Sequence, residues 1–150
     1  MTRYVLTAAL ALAGIAIAAV AQPAMADGKM HYLAIHVDEN DEAKMNIVLN
    51  NAGNMTKYYR EKGEDVKIEI VAHGPGLHML REDTSPVKTR IAAMSLEYDN
   101  MEFSACGNTM KGMAKKEGKP VQLIGEAHEV PAGVVRLVEL QEQGWSYVKP

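Results

Sequence analysis

The 150 residues contain a single cysteine, Cys106, and its neighbours are those of a reactive thiol. It closes the run Met101-Glu102-Phe103-Ser104-Ala105 and is followed by Gly107-Asn108 rather than by further apolar residues. A thiol where a strand hands over to a helix meets free N–H groups and the positive end of the helix dipole. Both favour the thiolate, which is the nucleophile of sulfur transfer. Gly107 lets the backbone turn closely beside the sulfur, and Asn108 is placed to donate a hydrogen bond to it. His73, at the head of His73-Gly74-Pro75-Gly76, is a candidate base for that thiol. Gly74 and Gly76 could shape the same loop into a backbone cradle for an anion, or serve only a tight turn. His36, with Asp38 two residues on, is the second candidate histidine. The plain alternatives are a buried core cysteine and structural histidines.

Ten methionines are present, two of them, Met1 and Met25, near the N-terminus. Met110 and Met113 follow Cys106 closely, and Cys, Met and His are the soft ligands of Cu(I). A metal-binding module using Cys106, His73, His36 and Met110 is therefore the main alternative to a reactive thiol. No C-x-x-C or H-x-x-x-H spacing accompanies these residues, so no metal is assigned. Met45, Met55 and Met94 fall on helical stripes and read as core filling. The glycines lack the third position of a dinucleotide fingerprint, and no cofactor is expected. His31, His78 and His128 read as surface or packing residues. The sequon Asn54-Met55-Thr56 falls inside a helical stretch and reads as chance.

The elements that would position these groups alternate. Met30 to Val37 reads as a first strand. Asn40 or Asp41 caps a helix with Met45, Val48, Ala52, Met55 and Tyr59 on one face, ended by Gly63. Val66 to Ala72 is a second strand, and the His73–Gly76 loop continues neither regular structure. Ser85-Pro86 predicts a helix start, with Val87, Ile91, Met94 and Tyr98 at helical spacing. Met101 to Ala105 is a third strand, followed by a short helix from about Thr109 to Gly118. A fourth strand lies between Val121 and Val130. Pro131 opens a last helix with Val134, Leu137, Val138 and Gln141 on one side, closed by Gly144. Trp145 to Val148 is a final strand. Such βα alternation predicts a mostly parallel sheet with helices on both faces. Ligands bind at the carboxyl ends of strands in such folds, the edge that carries His36, Asp38, His73 and Cys106.

The N-terminus reads as a cleavable signal peptide over residues 1–26. Arg3 precedes an apolar run from Val5 to Val20, Pro23 breaks it, and Ala24-Met25-Ala26 supplies the small-x-small cleavage pattern. The expectation is a periplasmic protein with no membrane segment after cleavage and one domain over residues 27–150. All 19 acidic residues lie in that domain, and of the 16 basic residues only Arg3 lies outside it. This acidic balance argues against nucleic-acid binding. A lone cysteine excludes a disulfide framework within the chain and leaves a thiol that is sheltered, used or paired between chains.

Several segments together resemble the DsrE-like family of small sulfur-relay proteins, related to DsrE, DsrF and TusD. They are the first strand entering the Asn-rich helix (Asn46 to Asn54), the Val71-Ala72-His73-Gly74-Pro75-Gly76-Leu77 turn and Phe103-Ser104-Ala105-Cys106-Gly107-Asn108-Thr109-Met110. To these add Val130-Pro131-Ala132-Gly133-Val134-Val135-Arg136 and the ending Gly144-Trp145-Ser146-Tyr147-Val148. The resemblance implies a three-layer αβα sandwich around a five-stranded, mostly parallel sheet, assembled as a trimer or hexamer. It also implies a persulfide on the cysteine after the third strand, the position of Cys106. The partners implied are a sulfur donor or acceptor protein, or a small thiol. The export signal departs from the cytoplasmic relay members. A single thiol points to a sulfur carrier or sulfurtransferase rather than a disulfide oxidoreductase, and a non-catalytic oligomeric interaction protein is the third reading.

Overall fold

Side chains in the first strand, β1 (Met30–Val37), alternate between two unequal compartments. Leu33, Ile35 and Val37 join the large core, while Ala34 joins a small cluster on the opposite face. A computed structural model describes residues 28–150. Residues 1–26, the expected signal peptide, lie outside the described residues. After β1 come α1 (Glu42–Glu61), β2 (Asp65–Ala72), a 3-10 segment (Gly74–Leu80), α2 (Lys88–Glu97), β3 (Met101–Cys106) and α3 (Gly107–Glu117). The chain ends with β4 (Ala127–Val130), α4 (Gly133–Glu142) and β5 (Ser146–Val148).

All five strands run parallel in the order β4-β3-β2-β1-β5. From β1 to β4 the chain steps in one direction across the sheet. Right-handed crossovers therefore lay α1, α2 and α3 on the same face. Between β4 and β5 it must travel back past β1, so α4 crosses on the other face. The result is an αβα sandwich with an uneven load. Three helices and the 3-10 segment bury Met45, Leu49, Ile68, Ile70, Leu77 and Phe103 among others, whereas α4 buries only Leu137 and Leu140 against Ala34 and Val71.

Local choices follow the sequence closely in α1. Asp41 is the N-cap, its Oδ1 accepting from the Lys44 N–H at 2.9 Å, and Gly63 follows the helix at φ 70°. Elsewhere the structure corrects the sequence reading. The helix after Ser85-Pro86 begins at Lys88, because the Ser85 hydroxyl donates to the Met79 carbonyl at 2.5 Å instead of capping. The His73–Gly76 loop is continuous with a 3-10 run rather than irregular. The third helix starts at Gly107, two residues before Thr109, which makes Cys106 itself the N-cap residue. In α4 the buried side is Gly133, Leu137 and Leu140, while Val134 and Val138 stand in solvent. The helix is turned so that Arg136 reaches a buried carboxylate in β2, a constraint that apolar spacing does not reveal.

Candidate functional site

Cys106 ends β3 beside the ends of β2 and β4, and its side chain is buried. As the N-cap of α3 it lies within reach of that helix's unpaired N–H groups. Burial alone would raise the thiol's pKa. The Thr109 hydroxyl and the backbone N–H groups of Gly133, Thr109 and Asn108 outweigh it and hold the thiol below its ordinary value. Thr109 Oγ1 accepts from the Gly74 N–H at 3.0 Å, which leaves the hydroxyl proton free to point at the sulfur. Two helices thus converge on one thiol, α3 through its first turn and α4 through Gly133. Asn108 is exposed and takes part through its backbone N–H.

Glycines make this convergence sterically feasible. A Cβ on Gly133 would stand 3.0 Å from the His73 Cβ and 3.2 Å from the Cys106 Cβ, so Gly133 sits between the two. A Cβ on Gly76 would lie 2.7 Å from the Asp38 nitrogen and 2.6 Å from the Val37 carbonyl carbon. On Gly107 it would meet the Val130 carbonyl oxygen at 3.1 Å. Gly74, at φ 52°, turns the chain so that its N–H meets Thr109. Of the glycines singled out in the sequence, Gly76 and Gly107 are in close backbone contact at this edge, and Gly74 makes the turn.

His73 leaves β2 in extended conformation, anchored by its N–H to the Val37 carbonyl at 3.0 Å. Its Nε2 faces the Nε2 of His36 at 2.6 Å, and His36 Nδ1 contacts the Tyr147 hydroxyl at 2.7 Å. Asp38 Oδ2 lies 3.9 Å from His36 Nε2 and is held by Lys149 at 2.7 Å. Burial first, and the neighbouring His73 second, push His36 below the ordinary histidine value despite Asp38. The Lys149 hydrogen bond lowers Asp38 in turn. Asp38, His36, His73 and Cys106 thus share one edge of the sheet, joined there by Tyr147 of β5 and by Lys149 just after it.

Met110 and Met113 turn toward the main core, with Met113 Sδ 3.6 Å from Arg81 Nη1. Among the described residues no set of three His, Cys, Asp or Glu side chains is arranged to hold a metal ion. His31 pairs with Glu64 at 2.6 Å and stacks on Tyr59, and His78 bonds Thr84 at 2.7 Å, both away from the thiol.

Sequence reasoning missed Thr109, Gly133, Tyr147 and Lys149 as parts of this edge. It also missed a polar cluster beneath α4. Glu69, fully buried on β2, receives two 2.7 Å hydrogen bonds from Arg136 and one of 2.6 Å from Ser104, with His128 Nε2 3.2 Å from the same Ser104 hydroxyl. A glutamate in the middle of the apolar strand Val66–Ala72 was the available signal.

A parallel five-stranded sheet with helices on both faces and one buried thiol at its carboxyl edge defines a small α/β sandwich protein. Over residues 29–150 the sequence matches the DsrE/DsrF-like family, and the chain belongs to that family. Among solved structures it is similar to a protein of unknown function from Methanobacterium thermoautotrophicum. The two share 28% identity at a TM-score of 0.67, over 80% of this chain and 99% of the other. No curated protein matches the chain significantly.

Proposed function

We infer that this protein is an exported sulfur carrier that accepts sulfane sulfur on Cys106 and passes it on. The observation that carries the reading is the thiol itself. It ends β3 as the N-cap residue of α3, with Gly133 of α4 packed beside it, and these surroundings hold its pKa below the ordinary value. In the loading step the Cys106 thiolate attacks the outer sulfur of a persulfide donor. A new S–S bond forms on Cys106, the donor's S–S bond breaks, and the donor leaves as a thiolate that takes up a proton. The backbone N–H groups beside the thiol then steady the bound persulfide anion. The His36–His73 pair, at the same edge, takes the proton that the resting thiol gives up. With one cysteine in the chain, release needs an acceptor thiol from a partner protein or a small molecule.

The periplasmic location rests on the leader sequence. The solvent-exposed Val134, Val135 and Val138 of α4, with Tyr147 and Val148 of β5, support a homo-oligomer such as a trimer or hexamer. Intact-mass spectrometry after incubation with a persulfide donor tests the carrier role. One added sulfur atom on the wild type and none on Cys106→Ser is the expected result. An unmodified wild-type thiol that also resists alkylation would remove the basis for it. A soft-metal site on the edge shared by His36, His73 and Cys106 is the second reading. Equilibrium dialysis with Cu(I) separates the two, since the carrier reading requires no binding that depends on both Cys106 and His73.

A further inference from the structure

The Glu69–Arg136 pair lies at the centre of the sheet, away from the thiol edge, and has no part in the sulfur chemistry described above. Glu69 is fully buried, and its neighbours on the adjacent strands are Ala34 of β1 and Glu102 of β3. Its two oxygens take the Arg136 guanidinium in fork geometry at 2.7 Å each, and Ser104 closes the remaining site on Oε1 at 2.6 Å. Arg136 lies one helical turn after Gly133, and its own N–H bonds the Ala132 carbonyl at 2.9 Å.

Two features make this pair decisive for where α4 sits. The apolar contact under α4 is small: Leu137 and Leu140 on Ala34 and Val71, with Trp145 at the margin. The N-cap of α4, Ala132, has no side-chain cap, so the first N–H groups of the helix are free. Gly133, the first residue of α4, packs directly on the thiol's residue: a Cβ added to it would stand 3.2 Å from the Cys106 Cβ and 3.0 Å from the His73 Cβ.

We propose that Glu69 and Arg136 are positioning residues for the thiol: their buried fork fixes the rotation and height of α4, and so keeps the Gly133 N–H on Cys106. Neither residue touches the reacting sulfur. Ser104 ties the same carboxylate to β3, the strand that ends in Cys106, so the fork joins both parts of the thiol's surroundings. The proposal rests on Cys106 being the reactive group, as inferred above.

The test measures the rate of Cys106 alkylation by iodoacetamide against pH in the full-length mature protein. Wild type, Glu69→Gln, Arg136→Lys and Arg136→Gln are compared, with folding checked by circular dichroism. Alkylation reads the thiolate directly and needs no sulfur donor, so a failed persulfide assay and a failed positioning role are distinguishable. Glu69→Gln and Arg136→Gln are expected to raise the apparent thiol pKa, with a several-fold slower reaction at pH 7. Arg136→Lys, which keeps the charge without the fork, is expected to recover part of that rate. Folded glutamine variants whose pH profile coincides with wild type would overturn the proposal. Should those variants fail to fold, the Gly133 amide is followed by NMR through the thiol titration in wild type and Arg136→Lys. It is expected to track the titration in the first and to respond more weakly in the second, and equal responses would likewise overturn the role.

Discussion

His36 and His73 meet Nε2 to Nε2 at 2.6 Å across neighbouring strands. One ring must carry the proton there and the other must accept it, so the pair as built holds one shared proton between two imidazoles. The Tyr147 hydroxyl at His36 Nδ1 extends the line toward solvent. A proton on both facing nitrogens would instead set two N–H groups against each other at the end of β1 and break the contact.

The pH dependence of stability follows from the sign of the His36 shift. Burial, followed by His73, lowers its folded pKa below the unfolded value of 6.5. The unfolded chain therefore binds more protons between the two values, and stability is lost as pH falls below about 6.5. Urea midpoints at pH 7.5 and 5.5 should show this loss, with a smaller difference in His36→Gln. Equal differences in the two proteins would contradict the assignment.

The Gly76 contact predicts a large local effect. A Cβ there meets the backbone of Val37 and Asp38, which has no rotamer to move aside. Gly76→Ala should cost about 3 kcal/mol, at the upper end of overpacking substitutions. Because the strain falls on the end of β1, the His36 ring should shift as well. Chemical denaturation gives the first quantity and histidine NMR shifts the second.

The two faces of α4 supply a sharper contrast. Leu140 is fully buried, whereas Val134 is 58% exposed. Leu140→Ala should cost about 3 kcal/mol, and Val134→Ala should leave the monomer's stability within about 0.5 kcal/mol. Denaturant midpoints of the two variants, taken at low protein concentration, check the difference. A larger loss for Val134→Ala would restore the face that the sequence pattern suggests.

That contrast also marks where the sequence was legible and where it was not. Strands and helices carried by long, one-sided patterns, such as Met45-Val48-Ala52 or Ile68 and Ile70 in β2, could be read directly, and so could the parallel αβα sandwich. The edge carrying His36, His73 and Cys106 followed from strand ends alone. The face of α4 could not be read, because apolar residues surround it and a single buried ion pair sets its rotation. Arg81 was equally hidden. It is 2% exposed yet charged, held by Asp83 and Glu117 at 2.6 to 2.9 Å. Its partners are Asp83, two residues on, and Glu117, at the far end of α3, a pairing that no local pattern announces. Gly133 and Thr109 were missed for a related reason. Each acts through one N–H or one hydroxyl, whose direction only the folded backbone defines.

Thr109 offers the most direct handle on the thiol. Its hydroxyl accepts from Gly74, which leaves its proton available to Cys106, and it favours the charged form of the sulfur without touching an incoming donor's carbon skeleton. Thr109→Val keeps the shape and the backbone N–H and removes only that hydrogen bond. The Gly74 N–H loses its acceptor at the same time. A hydrogen bond to a charged group contributes about 1.5–3 kcal/mol, so losing it should raise the thiol's pKa. At pH 7 the thiolate fraction, and with it the alkylation rate, should fall several-fold. The rate at strongly alkaline pH, once both thiols are ionised, should be nearly unchanged. Thr109→Ser, which retains the hydroxyl, should stay close to wild type throughout. A profile for Thr109→Val that overlays the wild type would show that the N–H groups of α3 and α4 hold the thiolate without it.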